Sequence, residues 1–170
     1  MDALDAIHTR RSVRQFTADE VTEQQAERLM RAAMAAPSAA NQQPWRFVLV
    51  RDAETRAKLA EATPYAAPVG RSPLAIVVLA DTSVEKFPGN WPLDCAAAVE
   101  NLLIAAHASG LGAVWLGVHP DPQREAAVGA LVSAPKGFRV FCMIAVGTPQ
   151  SDGPVVDRYR AGFVKDESWA

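Results

Sequence analysis

Three arginines and a serine stand close together near the amino terminus, as Arg10, Arg11, Ser12 and Arg14. A guanidinium binds phosphate oxygens through two parallel hydrogen bonds, and a serine hydroxyl adds another donor. The cluster therefore suits a phosphate group. Taken alone, it is more consistent with a solvated basic loop, because small charge clusters are common on protein surfaces.

A second candidate is the polar, proline-bounded segment from Pro37 to Trp45. Its small residues allow a ligand to approach closely, and Ser38, Asn41 and two glutamines offer neutral hydrogen-bonding groups. Such a segment would suit a ribityl chain or the edge of a flavin. The alternative is a connector in which serine and asparagine bind their own backbone, which is their commonest use.

A third candidate is the glycine-spaced segment from Gly110 to Gly117. It is not a dinucleotide-binding turn, because Trp115 stands where a third glycine is needed and the segment follows a predicted helix. The pattern predicts a helix end followed by a strand. The end of that strand, Leu116-Gly117, could present backbone N–H groups to a planar ligand.

Metal binding and nucleophilic catalysis are not favoured by the sequence. The three histidines lie in separate elements without acids at ligand spacing. We expect His107 to be a core or interface residue and His119 a loop residue that could line a pocket. No P-loop or Gly-x-Ser-x-Gly elbow occurs. Cys95 and Cys142 form no CxxC pair, which predicts a reducing, cytoplasmic setting.

Composition indicates one ordinary domain. The chain has 170 residues, 49% of them hydrophobic, and a formal net charge of −2, which disfavours a nucleic-acid partner. The amino terminus lacks the basic-then-apolar pattern of a secretory signal. The longest apolar stretch, 96–108, is interrupted by polar residues and is shorter than the ~20 residues that span a bilayer. No membrane association is expected.

Capping signals and apolar periodicity predict the elements that must position these candidates. Asp2 can cap a first helix, Thr22 and Gln25 form a capping-box pattern, and a mostly apolar helix runs from Pro92 to Gly110. This last helix should be central and could pack against its own copy. Further helices are predicted at 53–62 and 122–132, and strands at 47–50, 74–80, 113–117 and 138–146. The alternation predicts a layered α/β or α+β domain.

Taken together and in this order, the candidate segments resemble the nitroreductase family of FMN-dependent oxidoreductases. The resemblance extends from the first helix to about Pro149, and its most specific part is the segment from Pro37 to Trp45. The motifs that carry it are Arg10-Arg11-Ser12-Val13-Arg14, Ala36-Pro37-Ser38, Asn41-Gln42-Gln43-Pro44-Trp45, Asp94, Asn101, Gly110-Leu111-Gly112 and Trp115-Leu116-Gly117.

The resemblance implies an FMN cofactor and NADH or NADPH as electron donor. Hydride would pass through flavin N5 to nitroaromatics, quinones or similar small acceptors. The implied fold is α+β, with a mixed, mainly antiparallel central sheet wrapped by helices. The implied assembly is an intertwined homodimer with two interfacial sites. Residues 1–170 would form a single domain whose tail, from about residue 148, extends over the partner subunit.

The same resemblance assigns roles to individual residues. Arg10, Arg11 and Ser12 would hold the phosphate and ribityl end. Arg14 would approach the N1 and C2 carbonyl edge, where a fixed positive charge stabilises the reduced flavin, and it is the predicted catalytic residue. The residues that would reach the partner's cofactor are Pro37, Ser38, Ala39 and Asn41, and those beside the N5 and C4 carbonyl edge are Trp115, Leu116 and Gly117.

The carboxyl-terminal tail departs from the family pattern. Phe163 stands where relatives usually carry an arginine that returns to the phosphate, and Arg158, Arg160 or Lys165 could replace it. The departure leaves a flavin-binding module without turnover as an alternative. Flavin cleavage, dehalogenation or desaturation on the same fold, and a dimer without cofactor, also stay open. Neither the acceptor nor the choice between NADH and NADPH follows from the sequence.

Overall fold

A computed structural model describes residues 1–151 and 153–169 of the chain. Ten helices and strands form within these residues. In chain order they are α1 (Ala3–Thr9), α2 (Glu23–Met34), β1 (Trp45–Val50), α3 (Ala53–Glu61), α4 (Ala67–Arg71), β2 (Leu74–Asp81), α5 (Trp91–Ala108), β3 (Gly112–Gly117), α6 (Pro122–Leu131) and β4 (Phe138–Gly147).

Side-chain caps determine where several helices begin. Asp2 accepts hydrogen bonds from two backbone N–H groups at the start of α1. The capping box predicted from Thr22 and Gln25 is present at the start of α2. Asp121 caps α6, which carries a proline in its first turn. Such caps satisfy N–H groups that the helix itself leaves unpaired.

The four strands form one antiparallel sheet in the order β1-β2-β4-β3. The α+β class with a mainly antiparallel, helix-wrapped sheet is therefore confirmed. The parallel component is small within the described residues: Ser12 forms an isolated parallel bridge with Ala113. This bridge joins the segment after α1 to the edge strand β3.

Helices cover both faces of the sheet, which explains why β2 is buried along almost its whole length. On one face, side chains of β2 such as Ile76 pack with Leu29 of α2 and Leu102 of α5. On the other face, Val77 packs with Leu59 of α3 and Val128 of α6. The first of these two apolar clusters fixes α5 against its face of the sheet, and the candidate site lies around the ends of α5.

The long apolar helix has nearly the predicted limits. It extends over Trp91–Ala108, and Gly110 follows with a φ of 77°, a left-handed conformation that glycine adopts without strain. Leu93 on this helix is 69% exposed, so one side of its first turn is uncovered in the isolated chain. The sequence predicted no helix between the helix at 53–62 and the strand at 74–80, but the five-residue helix α4 forms there.

The start of the tail pairs with its own chain, because the N–H of Thr17 donates to the carbonyl of Thr148 at 2.9 Å and the N–H of Gln150 donates to the carbonyl of Gln15 at 3.1 Å. Every described residue from 153 to 169 is exposed, and the segment contains a single 3₁₀ turn, Ala161–Phe163. Several of its exposed side chains are large and apolar: Val155, Val156, Tyr159, Phe163, Val164 and Trp169. Among the helices of the described residues, none has the length and apolar character required to cross a membrane.

Candidate functional site

The segment that carries Arg10, Arg11, Ser12 and Arg14, which we call the basic segment, lies against the amino-terminal end of β3. The helix α1 ends at Thr9, and the chain then pairs with the strand through the Ser12–Ala113 bridge. The backbone N–H of Val13 donates to the carbonyl of Ala113 at 3.0 Å. Main-chain pairing therefore places Arg11, Ser12 and Arg14 at the sheet edge.

A glycine in β3 makes this close approach possible. A Cβ atom at Gly112 would lie 2.7 Å from Cβ of Val13 and 2.8 Å from both of its γ carbons. Real Cβ atoms do not approach other carbons so closely, so any larger residue would push the two segments apart. The sequence pattern identified Gly112 as part of a helix end, whereas the structure shows that it admits the basic segment.

These residues surround a cleft of about 340 Å³, which we call the arginine cleft. Its lining includes Arg11, Ser12, Arg14, His107 and Gly112. Arg11 Nη1 is buried, and the described residues supply no hydrogen-bond partner for it. An unpaired buried guanidinium nitrogen is costly unless an acceptor binds it. Because Arg11 lines the cleft, its guanidinium is a candidate donor to an anionic oxygen bound there.

Arg10 has a different environment from its neighbours. Its Nε lies 3.1 Å from Oε1 of Glu100 on α5, forming an ion pair, although the two atoms are not aligned as a hydrogen bond. Arg10 does not line the arginine cleft. The structure thus brings Arg11, Ser12 and Arg14 together and leaves Arg10 beside them, paired with an acid that the sequence did not connect with it.

His107 contributes to the arginine cleft from α5. Its Nε2 lies 2.7 Å from Oγ1 of Thr9, at the end of α1. The expectation of a core or interface histidine is consistent with this contact. The hydrogen bond joins the last turns of α1 and α5, so it helps to fix the direction in which the basic segment leaves α1.

The segment from Ser38 to Gln43 forms a tight turn, which we call the Ser38 turn. It contains the 3₁₀ helix Ala39–Asn41, and the Oγ of Ser38 accepts a hydrogen bond from the N–H of Gln43 at 3.0 Å. Ala40, Asn41 and Gln43 have φ values of 47°, 54° and 47°. Left-handed backbone at non-glycine residues is uncommon and strained, and it is often found at functional sites.

A buried carboxylate anchors this turn to the start of α5. Asp94 Oδ1 accepts from the N–H of Ala39 at 2.9 Å, and Oδ2 accepts from Nε2 of Gln42 at 2.6 Å. From the sequence, Asp94 was among the residues that carry the family resemblance, but no contact was predicted for its side chain. No residue of the Ser38 turn lines the arginine cleft of the same chain, so the two candidate segments form separate surfaces.

The third candidate segment begins at the arginine cleft, and its last residues, Trp115 to Gly117, lie towards the opposite end of β3. Trp115 packs against Phe141 with ring centroids 5.3 Å apart, and Leu116 is buried. Gly117 is exposed and ends the strand. At ~3.3 Å per residue, the six residues of β3 separate the two ends by roughly 17 Å.

His119 follows this strand end and belongs to a polar network that the sequence did not reveal. Its Nδ1 lies 2.8 Å from Oε1 of Glu125, and its ring stacks edge-on against Trp91 at 4.6 Å. Arg139 donates two hydrogen bonds to the same carboxylate, at 2.6 and 2.9 Å. The expected loop residue is thus an anchor that joins β3, α6 and β4.

The charge of Glu125 follows from these contacts. Partial burial raises the pKa of the Glu125 carboxyl, but hydrogen bonds from Arg139 and His119 lower it more, so that its pKa lies below the usual value. Glu125 is therefore a carboxylate at neutral pH. This charge keeps both donors fixed behind the end of β3.

Neither cysteine is suited to nucleophilic chemistry. Burial, assisted by the charges of Asp94 and Glu85, raises the pKa of the Cys95 thiol to about 12. Burial also raises the pKa of Cys142. The thiolate is the reactive form of cysteine, so both side chains act as small apolar residues. Within the part of the chain that the structure describes, no group of three or more histidine, cysteine or acidic residues could hold a metal ion.

The tail arginines lie outside the arginine cleft of their own chain. Arg158 lines a groove with Ile7 and His8 of α1, and the guanidinium of Arg160 lies 5.5 Å from the ring centroid of Phe163. Lys165 is exposed on the same segment. Within one chain, the structure therefore brings neither predicted arginine to the basic segment.

Comparison with known proteins adds a family context to this geometry. The sequence profile of the Nitroreductase family matches residues 7–92 and 62–148. A protein of Methanothermobacter thermautotrophicus, provisionally named NADH dehydrogenase/NAD(P)H nitroreductase, is 41% identical over 169 residues. That alignment covers 99% of this chain and 88% of the relative.

Two solved structures are similar over nearly their full length. A provisionally named NADH oxidase from Clostridium acetobutylicum superposes with a TM-score of 0.94 at 40% identity, covering 97% of this chain and 100% of the other. A provisionally named nitroreductase from Desulfovibrio desulfuricans, in complex with FMN, superposes with a TM-score of 0.84 at 31% identity. That alignment covers 100% of this chain and 99% of the other.

Proposed function

The chain belongs to the nitroreductase family, and on that premise we propose that it is an FMN-dependent oxidoreductase that uses NADH or NADPH. The relative from Methanothermobacter thermautotrophicus carries the name of an NAD(P)H nitroreductase, and one similar structure was solved in complex with FMN. When bound, FMN would supply reversible hydride transfer between the nicotinamide and a small acceptor. The remaining proposals concern what the residues of this chain contribute.

The phosphate of FMN fits the arginine cleft. Arg11 supplies a buried, unpaired guanidinium nitrogen, and Ser12 supplies a hydroxyl beside it. Arg10 would add a second guanidinium by turning away from Glu100, with which it now forms an ion pair. Phosphate is the ligand that such paired, planar donors bind best. The buried Nη1 of Arg11 is the single observation that carries this proposal.

Arg14 has the charge and the exposure required to act on the isoalloxazine ring. It lines the outer part of the arginine cleft and takes part in none of the ion pairs formed by the described residues. A fixed cation near N1 would stabilise the reduced, anionic ring more than the oxidised one. Arg14 is therefore our proposed catalytic residue, and its contribution is electrostatic.

The other proposed contacts come from the end of β3 and from the second subunit. Trp115 and Leu116 would support the strand end, where Gly117 would present its backbone to the N5 and C4 carbonyl edge. We place Pro37, Ser38, Ala39 and Asn41 of the partner near the same ring. The arginine cleft and the Ser38 turn are separate surfaces on one chain. In a homodimer, the cleft of one chain would face the Ser38 turn of the other and form a single site, which supports a homodimer with interfacial sites.

The tail supports the same assembly. A soluble monomer rarely exposes so many large apolar side chains on one segment, and such surfaces normally bind a partner. We propose that the exposed part of the tail, from residue 153, extends over the second subunit, bringing Arg158 and Arg160 towards its phosphate group. Acceptors would be nitroaromatics, quinones or similar small molecules, reached from the solvent side of the ring.

Flavin analogues test the proposal directly. Purified protein should release FMN on denaturation, and the cofactor-free protein should bind FMN at least about tenfold more tightly than riboflavin, because riboflavin lacks the phosphate. The Arg11→Ala variant should lose this preference while retaining its thermal unfolding transition. Equal affinities for FMN and riboflavin in the parent protein would refute the assignment of the arginine cleft to phosphate.

A further inference from the structure

The Ser38 turn is maintained by a buried hydrogen-bond relay that reaches beyond its own segment. Gln42 and Asp94 are 6% and 5% exposed. Asp94 accepts from Ala39 and from the amide nitrogen of Gln42. The amide oxygen of Gln42 in turn accepts from the N–H groups of Lys86 at 2.8 Å and Phe87 at 3.3 Å. Every oxygen of the two side chains therefore has a donor.

This relay has a clear physical task. Three non-glycine residues of the turn hold left-handed backbone, a strained conformation whose cost the surrounding structure must offset. Charge-assisted hydrogen bonds to a buried carboxylate are among the strongest that a protein forms. Asp94 also lies in the first turn of α5, where the helix dipole stabilises its negative charge.

The relay also gives the turn a fixed place relative to its surroundings. Gln42 connects the turn to the loop before α5, and the Nζ of Lys86 donates back to the carbonyl of Ala40 at 3.1 Å. The exposed side of the turn, which carries Asn41, is thereby left available for contact.

We propose that Asp94 and Gln42 are positioning residues that hold the Ser38 turn in its strained conformation for contact with the FMN of the partner subunit. The first part, that Asp94 and Gln42 maintain the turn, is independent of any cofactor. Only the second part, the contact with the partner's FMN, rests on the function proposed above. Neither side chain touches the ligand; each acts through the backbone that it holds.

Exchanging the carboxylate and the amide between positions 94 and 42 tests the hydrogen-bond relay. In D94N, the new amide group must face either the Ala39 N–H or the Gln42 amide nitrogen, so donor opposes donor. In Q42E, two carboxylates face each other. In the double variant D94N/Q42E, the new amide at position 94 would donate to the new carboxylate at position 42 and accept from Ala39. That carboxylate would still accept from Lys86 and Phe87. The pairing is complete again, and the total charge equals that of the parent.

Two measurements separate the parts of the proposal. Amide hydrogen exchange of residues 38–43 should accelerate about tenfold in each single variant, which corresponds to about 1.4 kcal/mol, and should return to within about threefold of the parent in the double variant. The dissociation constant for FMN should follow the same pattern. D52N, an equivalent substitution at the start of α3, should change neither value.

Each outcome decides a part of the proposal. If residues 38–43 exchange no faster in the single variants than in D52N, or as fast in the double variant as in the single variants, the relay is refuted. Altered exchange with unchanged FMN affinity would show that the relay is purely structural and would overturn the positioning role. If the parent binds no FMN, the proposed function fails, and the exchange data still test the relay. If the single variants do not fold, A40G/D94N replaces them, because glycine adopts a φ of 47° without strain.

Discussion

At the scale of single residues, Arg14 and Arg11 differ in what surrounds them. Arg11 has a buried guanidinium nitrogen, whereas Arg14 is exposed at the outer part of the arginine cleft. Buried donors contribute to ligand affinity, because an unmade hydrogen bond there is costly. A more exposed charge acts mainly through its field. We therefore expect these two neighbouring arginines to affect different properties of the bound flavin.

Replacing Arg14 should change the redox potential more than the affinity for oxidised FMN. The Arg14→Gln variant keeps similar reach but loses the charge that favours the reduced ring. A loss of about 1.4 kcal/mol in this preference lowers the two-electron midpoint potential by about 30 mV. A redox titration measures the shift, with Arg28→Gln on the exposed side of α2 as a charge-matched control. An unchanged potential would remove Arg14 from catalysis.

The sequence predicted the residue types of the site better than their partners. The basic segment and the Ser38 turn were identified from local composition and order. Asp94 bonds to residues 52 and 55 positions away, and no spacing rule connects them. Glu100 beside Arg10, and Glu125 beside His119, were missed for the same reason. Such pairings depend on how elements pack, which a single sequence does not specify.

At the scale of elements, contact between the basic segment and β3 depends on one glycine. Gly112→Ala should lower the free energy of unfolding by about 1–3 kcal/mol, because its Cβ overlaps Val13. Adding Val13→Gly, which removes the Cβ as well as both γ carbons, should recover part of the loss. Gly117→Ala is the matched control, since no heavy atom lies within 4 Å of the position of its Cβ. Chemical denaturation compares the four proteins, and equal stability of Gly112→Ala and the parent would contradict the packing.

The network around Glu125 should make stability depend on pH. Its pKa is lowered in the folded state, so its contribution is present above the unfolded value near 4.5 and is lost as the pH falls below it. Glu125→Gln should cost about 1–3 kcal/mol at neutral pH, and the difference from the parent should shrink below about pH 4. Glu61→Gln, on an exposed position of α3, is the control. A difference that does not change with pH would refute this role.

The sequence predicted the ends of helices correctly where the capping and turn signals were strong. The caps at Asp2 and Thr22 and the glycine after α5 were all predicted correctly. The helix α4 was missed because it has five residues that include proline and glycine, too few to show a helical period. The order β1-β2-β4-β3 places β4 next to β2, although two helices and another strand separate them in the chain, and local pattern carries no information on such pairing.

At the scale of the whole molecule, the exposed tail and the two separate candidate surfaces predict a homodimer. Light scattering at micromolar concentration should give twice the chain mass of 18.2 kDa. Removal of residues 152–170 should leave a cooperatively folded core, because every described residue from 153 to 169 is exposed. The same truncation should weaken both the dimer and FMN retention. A flavin-loaded monomer in the full-length protein would contradict the interfacial site.

Our proposed function requires that electrons pass from a nicotinamide to an acceptor through FMN held by this chain. Anaerobic absorption spectroscopy of the purified protein can follow both transfers. We predict a flavin spectrum that is bleached by NADH or NADPH and that returns when a quinone is added, with the Arg11→Ala protein containing little flavin. A protein whose bound flavin keeps its oxidised spectrum with both nicotinamides, or one without flavin after FMN is supplied, would contradict the account.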